Sequence, residues 1–473
     1  MAAVTVTDGI YQVAAGQTLT YSGDAFALFA DKPGSNPGLL INGAVMTSGS
    51  GVVTAIAIGS TSFYDSTVTI GAGGALKVTS SFVAYGYNSG SWSPDFANHG
   101  AVQVIGGAKA YGLYTADAGP WLFDNTASFA VSADGDARGV VMANAGTFHN
   151  SGTLNVIGGT SAIGLEMVGF DGDFLNTGLI MARSTAHNAV GVNWTATIDQ
   201  GLVWVNRGTI DADIALRVSP YSSDPAAQTF TNTGVMTGAI DLGPGAGILV
   251  NRGVITGDLA LGAGDDTYDG ATGTLRGKLN GGAGADTLIG GGGSNSMRGD
   301  EGADSIVGGG GFDDINGNMG DDTINGGSGG NDWLVGGQGA DFITGNAGSD
   351  LIYGNIGADT LVAGAGASTL LGGQDDDVVR GGAGNDWVSG DRGSDTVSGG
   401  LGADTFHATS GAGLDLVMDF NRAEGDRIVL DHGAAYTVSQ VGADTVVDLG
   451  GGDQLVLQNV QLSALSAGWI TVS

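Results

Sequence analysis

Gly281-Gly-Ala-Gly284-Ala-Asp286-Thr-Leu288-Ile289 is a nine-residue phrase that the chain repeats, with variations, as far as Gly399-Gly-Leu-Gly402-Ala-Asp404-Thr-Phe406-His407. Fourteen units fit in register, all nine residues long except the ten-residue unit over 326–335. The glycine-rich half must turn tightly, because glycine reaches positive φ without steric cost. The eighth position is apolar throughout: Leu288, Met297, Ile306, Ile315, Ile324, Leu334, Ile343, Ile352, Leu361, Leu370, Val379, Val388, Val397 and Phe406. Such a position is the inward side chain of a short strand. Each unit therefore reads as one turn plus one strand, two units close one flattened coil, and turns on the same side recur every eighteen residues.

Each edge of this expected coil stack carries its own row of sixth-position residues. One row is Asp286, Asp304, Asp322, Asp341, Asp359, Asp377 and Asp395, without a break. The other is Asn295, Asp313, Asp332, Asp350, Ser368, Asp386 and Asp404, so it lacks the carboxylate twice. Hard cations such as calcium take six to eight oxygens, and turn carbonyls with an Asp beside them supply that set; zinc would call for Cys or His. Stacked coils sit about 4.8 Å apart, and two bare carboxylates at roughly 5 Å repel by about 3 kcal/mol at an effective dielectric of 20. A ladder of such pairs outweighs the roughly 5–15 kcal/mol that stabilises a typical domain. Multiple calcium ions are expected on the twelve Asp positions, with fewer or weaker ones near Asn295 and Ser368, and their binding energy would become folding energy.

The phrase Gly-Gly-x-Gly-x-Asp-x-apolar-x resembles the repeats-in-toxin (RTX) family of calcium-dependent proteins, whose nonapeptides build parallel β-rolls. The resemblance implies export through a type I channel on an uncleaved C-terminal signal. A chain that folds only in millimolar calcium would stay threadable inside the cell and lock outside it.

Composition agrees with an all-β solenoid held by metal. The 473 residues hold 15 Lys+Arg against 48 Asp+Glu, a formal charge of −33, which disfavours nucleic acid and anionic membranes as partners. Apolar residues make up 42% and charged ones 13%, so the chain is not a disordered acidic tail. Ninety-one glycines without a collagen period, and no cysteine, suit a solenoid stapled by ions rather than disulfides. Met1-Ala-Ala-Val-Thr-Val-Thr-Asp8 has neither a basic residue nor an apolar core, so no cleaved N-terminal signal is expected. No apolar stretch is long enough to span a membrane.

Upstream, residues 1–95 alternate apolar and small polar residues, as in Val4-Thr-Val6, Gln17-Thr-Leu19-Thr-Tyr21 and Val68-Thr-Ile70, with loops at Pro33–Pro37 and Ser89–Pro94. A longer repeat then begins. Phe96-Ala-Asn98-His-Gly100 returns as Phe148-His-Asn150-Ser-Gly152, Phe174-Leu-Asn176-Thr-Gly178, Trp204-Val-Asn206-Arg-Gly208, Phe230-Thr-Asn232-Thr-Gly234 and Leu249-Val-Asn251-Arg-Gly253, with Phe123-Asp-Asn125-Thr-Ala127 as a weaker copy. These asparagines lie 19 to 30 residues apart, one coil of a wider parallel β-helix per repeat. Asn and Gly set a turn, and stacked Asn side chains can hydrogen-bond coil to coil. The pattern is similar to the β-helical stalks of bacterial surface proteins. Leu259-Ala-Leu261-Gly-Ala-Gly264-Asp-Asp266-Thr-Tyr268 is a half-formed nonapeptide at which the wide coil tapers into the narrow one.

After His407, Leu414-Asp415-Leu-Val-Met-Asp419-Phe420 and Gly425-Asp426-Arg-Ile428 resemble the cap that follows RTX repeats, and Asp415 and Asp419 are candidate extra ligands. The expected organisation is a wide β-helix over 1–258, a calcium-binding β-roll over 259–407, and a C-terminal β cap with an uncleaved secretion signal over 408–473.

Catalytic signals are few. No His-Glu-x-x-His occurs, and His99 and His149 read as surface turn residues. Mannuronan epimerases join a catalytic β-helix to RTX modules, but Tyr85-Gly86-Tyr87-Asn88 lacks the Asp, Pro and His of their phrase. Residues 1–250 also hold only seven Lys and Arg with which to bind a uronate polymer. The expected function is a non-enzymatic, secreted, calcium-stiffened structural protein of a Gram-negative cell exterior, joining other copies of itself head to tail in a matrix fibre or surface layer. The alternatives are a monomeric adhesin, binding surface polysaccharide through the face of the wide β-helix or the aromatic-rich loop around Tyr85, Tyr87, Trp92 and Trp121, and a polysaccharide-active enzyme of the epimerase or lyase type.

Overall fold

The computed structural model describes residues 4–6, 10–22, 28–30, 38–58, 67–89, 95–115, 122–143, 146–168, 173–195, 204–219 and 228–472. The loop at Pro33–Pro37, most of that at Ser89–Pro94, and Trp92 and Trp121 lie outside these residues. Strands dominate, and their only helical interruption among the described residues is a short 3-10 turn at Leu462–Ala464. Among the described residues no helix is long and apolar enough to cross a membrane. The fold is all-β, built from parallel solenoid coils in two compact units, Met1–Leu261 and Gly262–Ser473.

In the first unit a coil contributes three strands. One such coil is Asp95–Asn98, Ala101–Gly106 and Lys109–Thr115. Each strand pairs in parallel with its counterpart one coil on: Phe96 with Phe123, Val102 with Phe129, Lys109 with Asp136. Because the register is kept, like residues stack on like. Phe96, Phe123, Phe148, Phe174 and Trp204 form an internal column of near-parallel rings, with centroids 4.5 to 5.9 Å apart. Offset stacking of this kind adds about 0.5–1.5 kcal/mol per pair beyond area burial.

The asparagines expected to bond coil to coil do so. Asn98 donates to Asn125, and the chain of donors runs on through Asn150, Asn176, Asn206 and Asn232 to Asn251, each Nδ2–Oδ1 distance between 2.7 and 2.9 Å. All seven are buried. Each amide is both donor and acceptor, so the column satisfies itself and carries no charge. The weaker copy at Asn125 takes its place in the series like the others.

In the second unit the coil narrows to two strands. Lys278–Ala283, Ser296–Glu301, Asp314–Met319 and Trp333–Gln338 stack on one face, while Thr287–Ile289, Ser305–Gly309, Thr323–Gly327 and Phe342–Asn346 stack on the other. Met297 pairs with Ile315 and Leu288 with Ile306, which is the eighteen-residue coil expected from the repeat. All fourteen eighth-position side chains are buried between the two faces. The stack ends in a cap: Asp453–Leu457 pairs in parallel with Leu414–Val417, then Asp444–Gly450 and Thr437–Val441 add on antiparallel.

Candidate metal centre

Each unit of the roll has three glycine slots, and they are glycine for two different reasons. The second and fourth need positive φ: Gly282 is at 116° and Gly284 at 132°. Where the second slot is not glycine, it is Asn or Asp in the left-handed region, as at Asp300 (78°), Asn318 (79°) and Asn355 (82°). These are the residue types that tolerate it best. The first slot has ordinary φ and needs space instead. A methyl on Gly281 would lie 2.2 Å from Asp286 Oδ2 and 2.7 Å from the Gly299 carbonyl oxygen. Across the twelve units that carry Asp, the corresponding methyl-to-Oδ2 distance is 2.0 to 2.6 Å.

The two carboxylate oxygens have separate roles. Oδ1 of each of the twelve aspartates accepts a backbone N–H from the preceding coil: Asp286 N–H donates to Asp304, Asp304 to Asp322, Asp322 to Asp341, Asp341 to Asp359 and Asp359 to Asp377, each at 2.8 Å. On the other edge, Asn295 donates to Asp313, Asp313 to Asp332, Asp332 to Asp350, Ser368 to Asp386 and Asp386 to Asp404, at 2.8 to 2.9 Å. Oδ2 of every one of the twelve is buried with no hydrogen-bond donor. A buried anionic oxygen without a partner is costly. Here twelve of them repeat in register, each beside the first-slot glycine of its own unit.

Burial is the leading reason these carboxyls resist ionisation, and at rungs such as Asp322 and Asp377 neighbouring carboxylates of the same row add to it. Asp286, Asp322 and Asp341 are pushed up to about 7, Asp332 and Asp359 to about 6, and Asp377 to about 8. Asp304, Asp313, Asp350, Asp386, Asp395 and Asp404 are raised for the same first reason.

This arrangement fits calcium. Among the described residues no three His, Asp or Glu side chains converge on one point, so most donors at any cradle must be main-chain oxygens. Calcium accepts such a set; zinc and other ions that prefer nitrogen or sulfur do not. The residues that would hold the ions are the twelve aspartates through Oδ2, with the turn carbonyls beside them. A bound divalent cation supplies the positive charge that the Oδ2 rows otherwise lack.

The ladder runs past the repeat. Asp395 N–H donates to Asp415 Oδ1 at 3.2 Å, and Asp404 N–H to Asp426 Oδ1 at 3.0 Å, so Asp415 and Asp426 each continue one edge. Burial first, then Asp395, pushes Asp415 up to about 8. Asp426 Oδ2 takes the Asn421 N–H, and both oxygens of Asp419 take N–H groups, from Gly399 and Gly400. These two close the edge with every oxygen engaged. Asp266 stands at the opposite end, its N–H donating to Asp286 Oδ1 at 2.8 Å. Asp415 and Asp419 are visible as candidates in the sequence. Asp266 and Asp426 are not singled out there, although the half-formed unit around Asp266 was the available signal.

His99 lies on the surface with Nδ1 2.8 Å from the Thr126 hydroxyl, and His149 sits half-exposed beside the Asn150 turn, as expected of turn residues.

Comparison with known proteins agrees with this geometry. The RTX calcium-binding nonapeptide repeat (4 copies) matches residues 278–306, 298–331, 327–361, 353–388 and 380–414. Among solved structures, the AlgE6R3 subunit of the mannuronan C5-epimerase of Azotobacter vinelandii is 32% identical, over 26% of this chain and 80% of that one, with a TM-score of 0.20. The extracellular lipase LipA of Serratia marcescens is 18% identical, over 48% of this chain and 40% of that one, with a TM-score of 0.23. No curated protein matches the chain at a significant level. Over residues 278–414 the chain belongs to the RTX calcium-binding nonapeptide-repeat family.

Proposed function

We propose that the chain is a secreted, calcium-dependent structural protein of the bacterial cell exterior, which joins copies of itself into a matrix fibre or surface layer. What carries this reading is the use to which buried polar side chains are put. Asn98 to Asn251 in one unit and Asp286 to Asp404 in the other are committed to bonding coil to coil. Such residues build length and stiffness rather than a reaction centre.

A route to assembly follows from the cap. Thr437–Val441 pairs only with Asp444–Gly450 among the described strands, so its other edge offers unpaired backbone groups. Val441 is 59% exposed beside it. An open edge of this kind is a template for strand addition, and a contact between unlike surfaces of two copies propagates without closing. Electron microscopy in millimolar calcium and then in chelator tests the proposal. Fibres or sheets that disperse on chelation support it; single particles in both conditions overturn it.

One observation favours a second reading, an adhesin that binds surface glycan. Tyr85 and Tyr111 stack in parallel at 4.9 Å on neighbouring coils, and Tyr114 meets them edge-on at 6.2 and 5.7 Å. All three rings are half-exposed, an amphipathic platform of the kind that aromatic hydroxyl side chains offer at binding surfaces. Retention on immobilised polysaccharide that Tyr111→Ala abolishes would establish this reading instead.

A further inference from the structure

We propose that two rungs of the roll, at Asn295 and Ser368, are built to stand without a cation, each by a different device, so that the second edge loads calcium in two separate blocks. One block holds Asp313, Asp332 and Asp350; the other holds Asp386 and Asp404. The inference rests on the calcium reading of the aspartate rows and concerns where this chain departs from it.

At Asn295 the side-chain amide stands where the other units carry Oδ2. A methyl on Gly290, the first-slot glycine of that unit, would meet Asn295 Nδ2 at 2.9 Å, as the methyls of the aspartate units meet Oδ2. Nδ2 lies 2.6 Å from the Gly293 carbonyl oxygen, 3.1 Å from that of Gly308 and 2.9 Å from Asp313 Oδ1. All three neighbours are acceptors, so turning the amide over would set oxygen against three oxygens; the nitrogen is placed by its surroundings. Asn295 thus turns a neutral donor toward these oxygens where an aspartate unit would turn an anionic Oδ2. The backbone bond of the rung is untouched, since Asn295 N–H still donates to Asp313 Oδ1 at 2.8 Å.

At Ser368 the device is removal and filling. The serine hydroxyl accepts the Asp350 N–H at 3.0 Å, the task of Oδ1 elsewhere, and no atom replaces Oδ2. The first slot of the same unit is Ala363, the one unit of the fourteen that does not begin with glycine. Its side chain is buried. In the aspartate units that methyl would lie within 2.0 to 2.6 Å of Oδ2, closer than real Cβ atoms approach a neighbour. Ala363 and Ser368 therefore belong together: losing the ion-facing oxygen makes room for the methyl, and the methyl excludes the oxygen. Ser368 is then no casual replacement but one half of a closed site.

The test counts calcium in the full-length chain by plasma mass spectrometry, after gel filtration in saturating calcium. Asn295→Asp is expected to bind about one ion more than the wild type, and Asn295→Ala none more. Ser368→Asp alone is expected to gain none, because its second oxygen meets Ala363, whereas the double variant Ala363→Gly with Ser368→Asp gains about one. An unchanged count in Asn295→Asp, or an extra ion in Ser368→Asp alone, overturns the proposal at that rung. A variant that does not fold in calcium is replaced by a high-resolution structure of the wild type with calcium, where density for an ion at either rung overturns it. A wild-type chain that binds no calcium at all would overturn the calcium reading itself, which is a different result from equal counts in wild type and variants.

Discussion

The two units solve one problem with two chemistries. Both are parallel coils whose rungs are linked by a buried side chain repeated in register. In the wide coil that side chain is Asn, and every amide gives one hydrogen bond and takes another, from Asn98 to Asn251. In the narrow coil it is Asp, and only one oxygen of each is engaged. A neutral ladder completes itself; a charged one leaves a row of anionic oxygens that something else must neutralise. The first unit is therefore expected to keep its order without ions and the second to depend on them.

The largest effect that tests this contrast is chelation. In excess EGTA, amide hydrogen exchange over residues 278–414 is expected to lose its protection, while the Asn-ladder strands between Asp95 and Asn251 keep theirs. Equal protection of both regions with and without calcium would erase the distinction. A smaller effect comes from exchanging the chemistries. Asn176→Asp puts a carboxylate between Asn150, which donates to it, and Asn206, to which it could no longer donate. Leaving a buried charge and an unmatched acceptor in this way costs about 3–5 kcal/mol, and thermal melting should show the loss unchanged by added calcium. A calcium-dependent rescue would mean that the wide coil can also bind ions at this rung.

The smallest and most diagnostic effect is that of pH in chelator. The roll's aspartates titrate above the ordinary value of 3.8, Asp377 at about 8 and Asp286, Asp322 and Asp341 at about 7. Between pH 4 and 8 the metal-free folded roll therefore holds more protons than the unfolded chain, so its stability falls as pH rises. Circular dichroism in EGTA should show more β structure at pH 4.5 than at pH 8. In calcium the order reverses, because protons compete with the ion for the same oxygens. The first unit should follow neither trend.

Much of this was legible before any coordinates. The nonapeptide period fixed the coil, the burial of Leu288 through Phe406 and the aspartate rows, because one residue in nine had to be apolar and one acidic for two strands and two turns to close. The Asn-x-Gly phrase disclosed the neutral ladder for the same reason, down to its weak copy at Asn125. What escaped lies where the period fails although the rung persists. Asp426 follows Asp404 by twenty-two residues, so spacing no longer marks it, yet it still accepts the same backbone N–H; Asp415, twenty after Asp395, is legible as a candidate ligand but not as the next rung. Ala363 carries no signal in the sequence for a different reason. A single methyl at a glycine position acquires meaning only once the oxygen it excludes has been located five residues away.

The direction of the aspartate hydrogen bonds gives the roll a polarity. The sixth-position carboxylates all reach back to an amide of the coil before them, whereas those of Asp265, Asp321 and Asp376 accept from the coil after. Trimming from the low-numbered side would free aspartate Oδ1 atoms together with strand amides such as that of Thr287, which donates to the Asp266 carbonyl. Trimming from the high-numbered side would strand the buried N–H groups of Asp395 and Asp404, whose acceptors are Asp415 and Asp426. The residues beyond His407 thus carry the two aspartate rows one rung further, supplying the acceptors that the last repeat units would otherwise lack.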